Sequence, residues 1–566
     1  MYSFSGLFFA GLGLAFWGFL TLVIHQQYRA AVSECGPWFR YICAGQVFLA
    51  LLFLITLRGG PGAFLVGDAV EYSLAAKNLV RSGSYSLPFS PIQSLPPRFP
   101  IWFSLLFLSP WYALNPESIV IGYGAVIASF LFLAILACSL GCLLGGNKGG
   151  LLTFPALLII PGVRYFSQSI ITEIPVAMLT VLLVLLFLQI SQRQNVRRLI
   201  ETGIILAVFC ALRVTHICMV VPFAVWVMRL PLTFSRRFFR LLLLFVPLIL
   251  IVLIDSIYNF ITFGSPLFNG YHFWVPVPYQ DFFLTFSARF IQNSAYSTLI
   301  ESGALPTVLL LGFLVQNHRQ GFIDLTPATI NRLKSLGVLF AFGMVPLLAI
   351  YSAYFYASIR FSLPIVVALG VSCGGVLGGI IPQRFLAALS ALPIIVTLAV
   401  IESNSQRVTK ITEISRIIRD SCTPNTTLVT AHNPLLVNHL VRGSCKRVLP
   451  LDRSIEYASK ATLGHYGSEI YPSEDTRSYA RRQGGQDVYV ETLAEISHLT
   501  EDTLLDITGL SESKIRELSA RFALERTDNP LVMSLTERYR GDEQSLATNE
   551  ILKSPERGTS STHVAN

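Results

Sequence analysis

Runs of about 20 apolar residues recur along this chain as far as about residue 401, and no other feature limits its fold so tightly. A run of that length is what a helix needs to cross the hydrocarbon core of a bilayer. Every backbone N–H and C=O must there be satisfied within the segment itself. The runs predict spans near residues 5–24, 41–57, 118–142, 150–163, 174–190, 241–262, 304–317, 335–356, 361–381 and 385–401. Residues 200–228 add two short apolar arms around Arg213-Val214-Thr215-His216, read as two further crossings, for about twelve in all. Residues 101–116 are apolar but short and carry Pro110 and Pro116, so they are placed as a helix lying in the interface. Leu7 to Ile24 has no Lys or Arg ahead of it and no small-residue cleavage site, and therefore reads as a retained helix. Composition agrees: 53% of the 566 residues are hydrophobic, only 13% are charged, and the mean hydropathy is +0.58. Soluble domains carry about a quarter charged residues. The fold class is an all-α polytopic membrane protein.

The net charge of +9 does not point to nucleic acid, because the cations sit in short loops between spans, where topology explains them. Loops 25–40, 143–149, 191–199, 229–240, 318–334 and 382–384 hold 14 Lys and Arg in 64 residues. The opposite loops 58–117, 164–173, 263–303 and 357–360 hold 7 in 115. The first set is therefore assigned to the cytoplasm and the 58–117 loop to the outside. A true crossing by residues 101–116 would carry Arg193, Arg197 and Arg198 outward, against that count.

Beyond Ile401 the composition turns mixed and polar. Residues 402–540 predict a small α/β domain, placed outside by helix parity. Its strands are expected at Thr427 to Ala431, Arg447 to Leu451, Asp487 to Glu491 and Leu531 to Leu535, with helices at Asn433 to Val441 and across 500–522. Residues 541–566, rich in Ser, Thr, Glu and Asn, form an expected disordered tail. Seven of the nine cysteines lie in or beside apolar segments, where the thiol behaves as a small hydrophobe. Cys422 and Cys445 precede two outer strands, and an oxidising compartment would permit a disulfide there. No His/Cys spacing suits zinc, and there is no P-loop and no GxSxG elbow.

The candidate site starts in the outer loop. Asp68 and Glu71 are three residues apart and share a helix face. Asp68 could serve as a general base for an acceptor hydroxyl with Glu71 in support; alternatively both are helix-start acids favoured by the dipole. Tyr72 follows, and Pro96-Pro97-Arg98-Phe99-Pro100 sets a cation on a stiff spacer beside the bilayer. An acid with a cation close by suits chemistry on a lipid-linked phosphate. Glu173, in Ile171-Thr172-Glu173-Ile174-Pro175, is a costly acid at a helix mouth unless it is hydrated or paired. Arg360 falls on the same outer side, either snorkelling or gripping phosphate. Arg213 and His216 lie at membrane depth, where pairing with a carboxylate or a polar head competes with a purely structural role.

These residues resemble a family. Gly67-Asp68-Ala69-Val70-Glu71-Tyr72-Ser73-Leu74-Ala75, continuing to Gly83-Ser84-Tyr85, is similar to the first outer loop of the GT-C glycosyltransferases, closest to the protein O-mannosyltransferase and lipid A aminoarabinose transferase branch. Pro97-Arg98-Phe99-Pro100, Thr172-Glu173-Ile174-Pro175, Tyr258-Asn259, Phe263 to Leu267, Gly270-Tyr271 and Arg360-Phe361-Ser362-Leu363-Pro364 follow in family order. The resemblance implies an inverting transferase that takes a sugar from a polyprenyl-phosphate donor in the membrane lipid to the hydroxyl of a glycan, lipid or protein acceptor. Asp68, Glu71 and Glu173 would be the catalytic acids, with Asp68 as the base. Arg98, Arg360, Tyr72, Arg213 and His216 would bind the donor phosphate. No cofactor is implied with certainty; a divalent cation is the one that adjacent acids at Asp68, Glu71 and Glu173 would suit. Three features depart from the pattern: an extra helix precedes the loop, the usual tandem Asp-Glu is Asp68-Ala69, and the usual Arg-Tyr is Arg360-Phe361.

Two other classes compete. A transporter or flippase would use Arg213 and His216 as a substrate or proton site, but would predict inverted repeats, and the sequence has none. A catalytically inert scaffold would not need the acids. The expected location is a bacterial inner membrane, the sequon Asn425-Thr426-Thr427 mattering only in a eukaryotic host.

Overall fold

The computed structural model describes residues 3–56, 68–88, 94–116, 118–192, 195–274, 285–321, 323, 325–382, 384–386, 388 and 391 of the apolar region. Of the polar region it describes residues 418–430, 437, 441, 444–451, 502–507, 510–527 and 532–537. Gly67, most of the expected 385–401 span, the expected strand at 487–491 and the tail at 541–566 lie outside the described residues.

Seven described helices are long and apolar enough to cross a membrane, or eight when the bent pair Ala288–Glu301 and Ala304–Arg319 is taken as one span. The difference from the expected twelve has identifiable sources. Tyr123–Ile159 is one continuous element by hydrogen bonding but holds two expected spans, folded back at Gly145 and Gly146, where Gly146 has φ 66°. Val196–Leu212 and Val220–Arg229 are the two short arms. The last span falls largely beyond the described residues.

Glycine lets the central helices approach backbone to backbone. A Cβ on Gly145 would overlap the carbonyl of Gly375, and one on Gly378 would overlap that of Lys148. The Tyr123–Ile159 hairpin and the Leu363–Ile380 helix are thereby drawn into the close contact that replaces hydrophobic drive inside lipid. Glu173–Gln192 is sheathed by neighbours, with Met178 to Leu186 almost wholly buried. Phe234–Phe263 is the opposite: Ile249, Leu253, Ile257 and Ile261 are exposed, as suits a helix that faces acyl chains.

The 101–116 segment is helical as expected, and much of it is buried within the protein. Its π-helical turn Phe103–Leu108 is buried along with Ser109 and Tyr112. Trp17 Nε1 donates to Phe107 O at 3.3 Å, and the Phe16 and Phe107 rings meet edge to face at 5.4 Å. A segment apolar on all sides gains most by complete burial, and Gly13 supplies the room, since a Cβ there would crowd Leu105 O and Pro110.

The polar region contains a five-stranded sheet in the spatial order Arg447–Pro450, Thr427–Thr430, Thr503–Asp506, Val532–Glu537, Phe522–Arg526. The first two junctions are parallel and the last two antiparallel. Alternation places Leu428 and Val448 in one apolar cluster and Val429, Leu449 and Leu505 in another, so the central strands are buried on both faces. Thr503–Asp506 corrects the expectation of helices across 500–522; among the described residues there, Glu512–Arg521 is the helix and Phe522 opens the strand Phe522–Arg526. Asp506 accepts from Thr430 Oγ1 at 2.9 Å, which satisfies its buried carboxyl. Cys422 and Cys445 are disulfide-bonded, with Cα atoms 4.9 Å apart. Cys35 and Cys142, read from sequence as small apolar side chains, are bonded to each other as well.

Candidate active site

Five separate elements bring three acids and three arginines to one end of the helical bundle. Asp68 and Glu71 occupy the first turn of Asp68–Ser82, where the helix dipole favours negative charge. Glu173 opens Glu173–Gln192, its side chain fully buried. Arg213 stands where the Val196–Leu212 helix ends: its backbone is extended (φ −154°, ψ 116°), and this break carries the guanidinium out of the helical register toward Glu173. Arg360 lies in the turn before Leu363–Ile380.

Arg98 is fixed by its neighbours. Its backbone N–H donates to Glu71 Oε1, and its guanidinium lies 4.5 Å from the Phe99 ring centre. Tyr85 OH donates to the carbonyls of Phe99 and Pro100 at 3.0 and 3.1 Å. Gly270 packs against this segment so closely that a Cβ would overlap the carbonyls of Pro97 and Arg98.

The charges form one network. Arg98 Nη2 meets Asp68 Oδ1 at 2.7 Å and Glu71 Oε2 at 3.2 Å. Arg360 links Asp68 to the third acid, with Nη1 on Asp68 Oδ2 at 2.8 Å and Nε on Glu173 Oε1 at 2.7 Å. Arg213 pairs with Glu173 Oε1 from the other side. The Phe361 ring lies 5.2 Å from the Arg213 guanidinium and 5.5 Å from that of Arg360, and it stacks on Tyr351 at 5.0 Å. Phe361 thus offers an aromatic face to both guanidiniums. Glu173 Oε2 is buried with no hydrogen-bond partner among the described residues, an acceptor left open inside the network.

Burial pushes the Asp68 carboxyl up, but the Arg360 and Arg98 guanidiniums outweigh it and hold the group at about 2. Asp68 is thus ionised at neutral pH and clamped between two cations. Glu71 is shifted the other way, since burial outweighs the pull of Arg98. Burial, then Tyr271, Asp68 and Glu173, keep the Tyr72 hydroxyl protonated well above its ordinary range. Its ring stacks on Phe99 at 4.2 Å.

Seven of the eight residues singled out from sequence thus belong to one assembly. His216 does not. Its ring stacks on Phe209 at 4.2 Å and its Nδ1 lies 3.2 Å from the Phe209 carbonyl, because the 3₁₀ turn Val214–Met219 directs it behind Arg213. Nor do the acids combine into a cation site: Asp68 and Glu173 meet only through Arg360, and among the described residues no group of three His, Cys, Asp or Glu is placed to hold a metal. Sequence reading passed over Asp255, which accepts from Trp102 Nε1 at 2.7 Å. A lone acid within an apolar span was the available signal.

No protein-family model matches the sequence, and no curated protein matches it significantly. Solved structures do. The structure of ArnT from Cupriavidus metallidurans bound to undecaprenyl phosphate aligns with a TM-score of 0.57 at 14% identity, over 88% of this chain and 97% of that one. ArnT in the apo state aligns over the same shares with a TM-score of 0.54 at 13% identity. At such identity the likeness speaks for architecture alone, and by architecture this chain has the GT-C fold of ArnT.

Proposed function

We propose that the chain is an inverting glycosyltransferase that moves a sugar from a polyprenyl-phosphate donor to an acceptor hydroxyl at the outer face of the membrane. The observation that carries this reading is the Asp68 carboxylate held directly between Arg98 and Arg360. Two guanidiniums converging on one point from different elements suit a phosphate grip, and here both hold Asp68.

Donor binding then couples to base strength. As the phosphate takes up Arg98 and Arg360, Asp68 loses the cations that hold its pKa near 2 and becomes a competent proton acceptor. The acceptor hydroxyl gives its proton to Asp68 while its oxygen bonds to the anomeric carbon. The bond from that carbon to the phosphate oxygen breaks, and its electron pair leaves with the polyprenyl phosphate. Arg98 and Arg360 meet the charge that accumulates there, with the Tyr72 hydroxyl as a further donor. Glu71 positions Arg98; Glu173 positions Arg360 and Arg213, leaving Oε2 open to acceptor or sugar. His216 has no part in this scheme. No step runs through a metal ion.

The 402–540 region is read as an outer domain and the membrane as a bacterial inner membrane. A transporter would use His216 as a substrate or proton site, but the His216 ring is buried and packed on Phe209. The test is transfer of radiolabelled sugar from mixed polyprenyl-phosphate donors by the purified protein and by Asp68→Asn, each with and without EDTA. Turnover that Asp68→Asn abolishes and EDTA spares supports the reading; equal turnover by both removes Asp68 from catalysis.

A further inference from the structure

Arg98 also lines a cavity of about 260 Å³ beside the ion network. The inner wall of the lipid-facing Phe234–Phe263 helix supplies its apolar side through Leu248 and Ile251. Its polar side is Asp255, Asn259 and Asn269, and Tyr271 also lines it. The volume lies just below the range of roughly 300–1,000 Å³ usual for small-molecule sites, so it suits one sugar ring and not a glycan.

Asp255 needs an explanation that the network does not provide. An acid within a membrane span is costly and calls for a partner. Trp102 donates to Oδ1, and the residue lines the cavity. The helix thus presents a carboxyl oxygen to the cavity in which Arg98 would hold the donor phosphate. An amide could cap Trp102 equally well; a carboxyl adds a strong acceptor and repulsion of other acids.

We propose that this cavity is the glycosyl subsite of the donor, and that Asp255 selects sugars offering hydroxyl or ammonium donors and rejects carboxylate-bearing sugars. The proposal rests on the donor reading above. Asn259 and Asn269 supply the further polar contacts that fix a ring, and Tyr271 supplies an aromatic wall. Discrimination comes from a repulsive element as much as from a new contact.

The test is calorimetric binding of a short polyprenyl phosphate and of its glucosyl and glucuronosyl derivatives to the full chain and to Asp255→Asn, with transfer assayed in parallel. Asparagine is isosteric and keeps the Trp102 contact, and equal thermal melting of the two proteins checks that the fold is retained. The wild type should bind the glucosyl donor about tenfold tighter than the bare lipid phosphate and the glucuronosyl donor no tighter. Asp255→Asn should bring the two sugars within about threefold of each other. A sugar that adds no affinity, or an unchanged preference in Asp255→Asn, overturns the subsite. No binding of any polyprenyl phosphate overturns the donor reading and the subsite with it. Sugar-selective binding without transfer keeps the subsite and refutes the transferase.

Discussion

Arg360→Gln separates the phosphate grip from the structural network more cleanly than any other substitution. Arg360 makes one charged hydrogen bond to Asp68 and one to Glu173, with 22% of its side chain exposed. Bonds of that kind contribute about 1.5–3 kcal/mol each. Its loss strands neither acid, since Arg98 still holds Asp68 and Arg213 still holds Glu173. The cost in stability should therefore fall at the low end of that two-bond sum, about 3 kcal/mol, which is also the low end of what breaking a buried pair costs. Catalysis should suffer more, because removing one donor from a developing anion costs about 10²–10³ in kcat. Arg360→Lys should recover only part of this, since a point charge cannot bridge two carboxylates as a guanidinium does. There is also a signature in pH. Arg360 is the foremost charge lowering the Asp68 pKa, so its loss raises that pKa, and an acid limb absent from the wild-type kcat/KM profile should move up toward neutrality. The assay is steady-state transfer between pH 4 and 8, with thermal unfolding as the control for folding. A folded Arg360→Gln with kcat within about threefold of wild type would refute the phosphate grip.

Further substitutions probe the supports. Glu173→Gln removes a fully buried charge that two arginines share, and it should lower stability by about 3–5 kcal/mol, read as a large drop in melting temperature and yield. Gly270→Ala sets a methyl against the carbonyls of Pro97 and Arg98 and must shift the Arg98 segment. Displacements of about 1 Å at a site can cost about 10² in rate, so transfer should fall far more than melting temperature; an unchanged rate would show that the segment does not position Arg98. Cys422→Ser opens a crosslink spanning 23 residues, for which chain entropy gives about 3 kcal/mol. Limited proteolysis should then cut the sheet region while sparing the helical bundle.

The parts legible in the sequence were those that chemistry dictates locally. Apolar runs marked the spans, and Gly145-Gly146 fell between two of them, where the hairpin turns. Acids and arginines at helix mouths marked the candidate site, because such groups are costly beside lipid unless they are used or paired. The pairing itself was not legible: Arg360 reaches residues 292 and 187 positions away, and only the fold sets those distances. His216 lies outside the ion network because sequence proximity to Arg213 says nothing about which way a 3₁₀ turn aims its side chains. The strand at Thr503–Asp506 is four residues long and buried at the middle of a sheet, too short for periodicity to tell from a helical segment. Asp255 was overlooked because its partner, Trp102, lies 153 residues away.

The central claim is that Asp68 takes the proton while Arg98 and Arg360 hold the donor. Single-turnover transfer by Asp68→Asn, with donor affinity measured on the same preparation, tests it most directly. The account predicts a rate lowered by about 10²–10⁴ with donor binding retained or strengthened, because the guanidiniums no longer have Asp68 to release. Wild-type turnover in Asp68→Asn, or a loss of rate explained wholly by lost donor affinity, would contradict it.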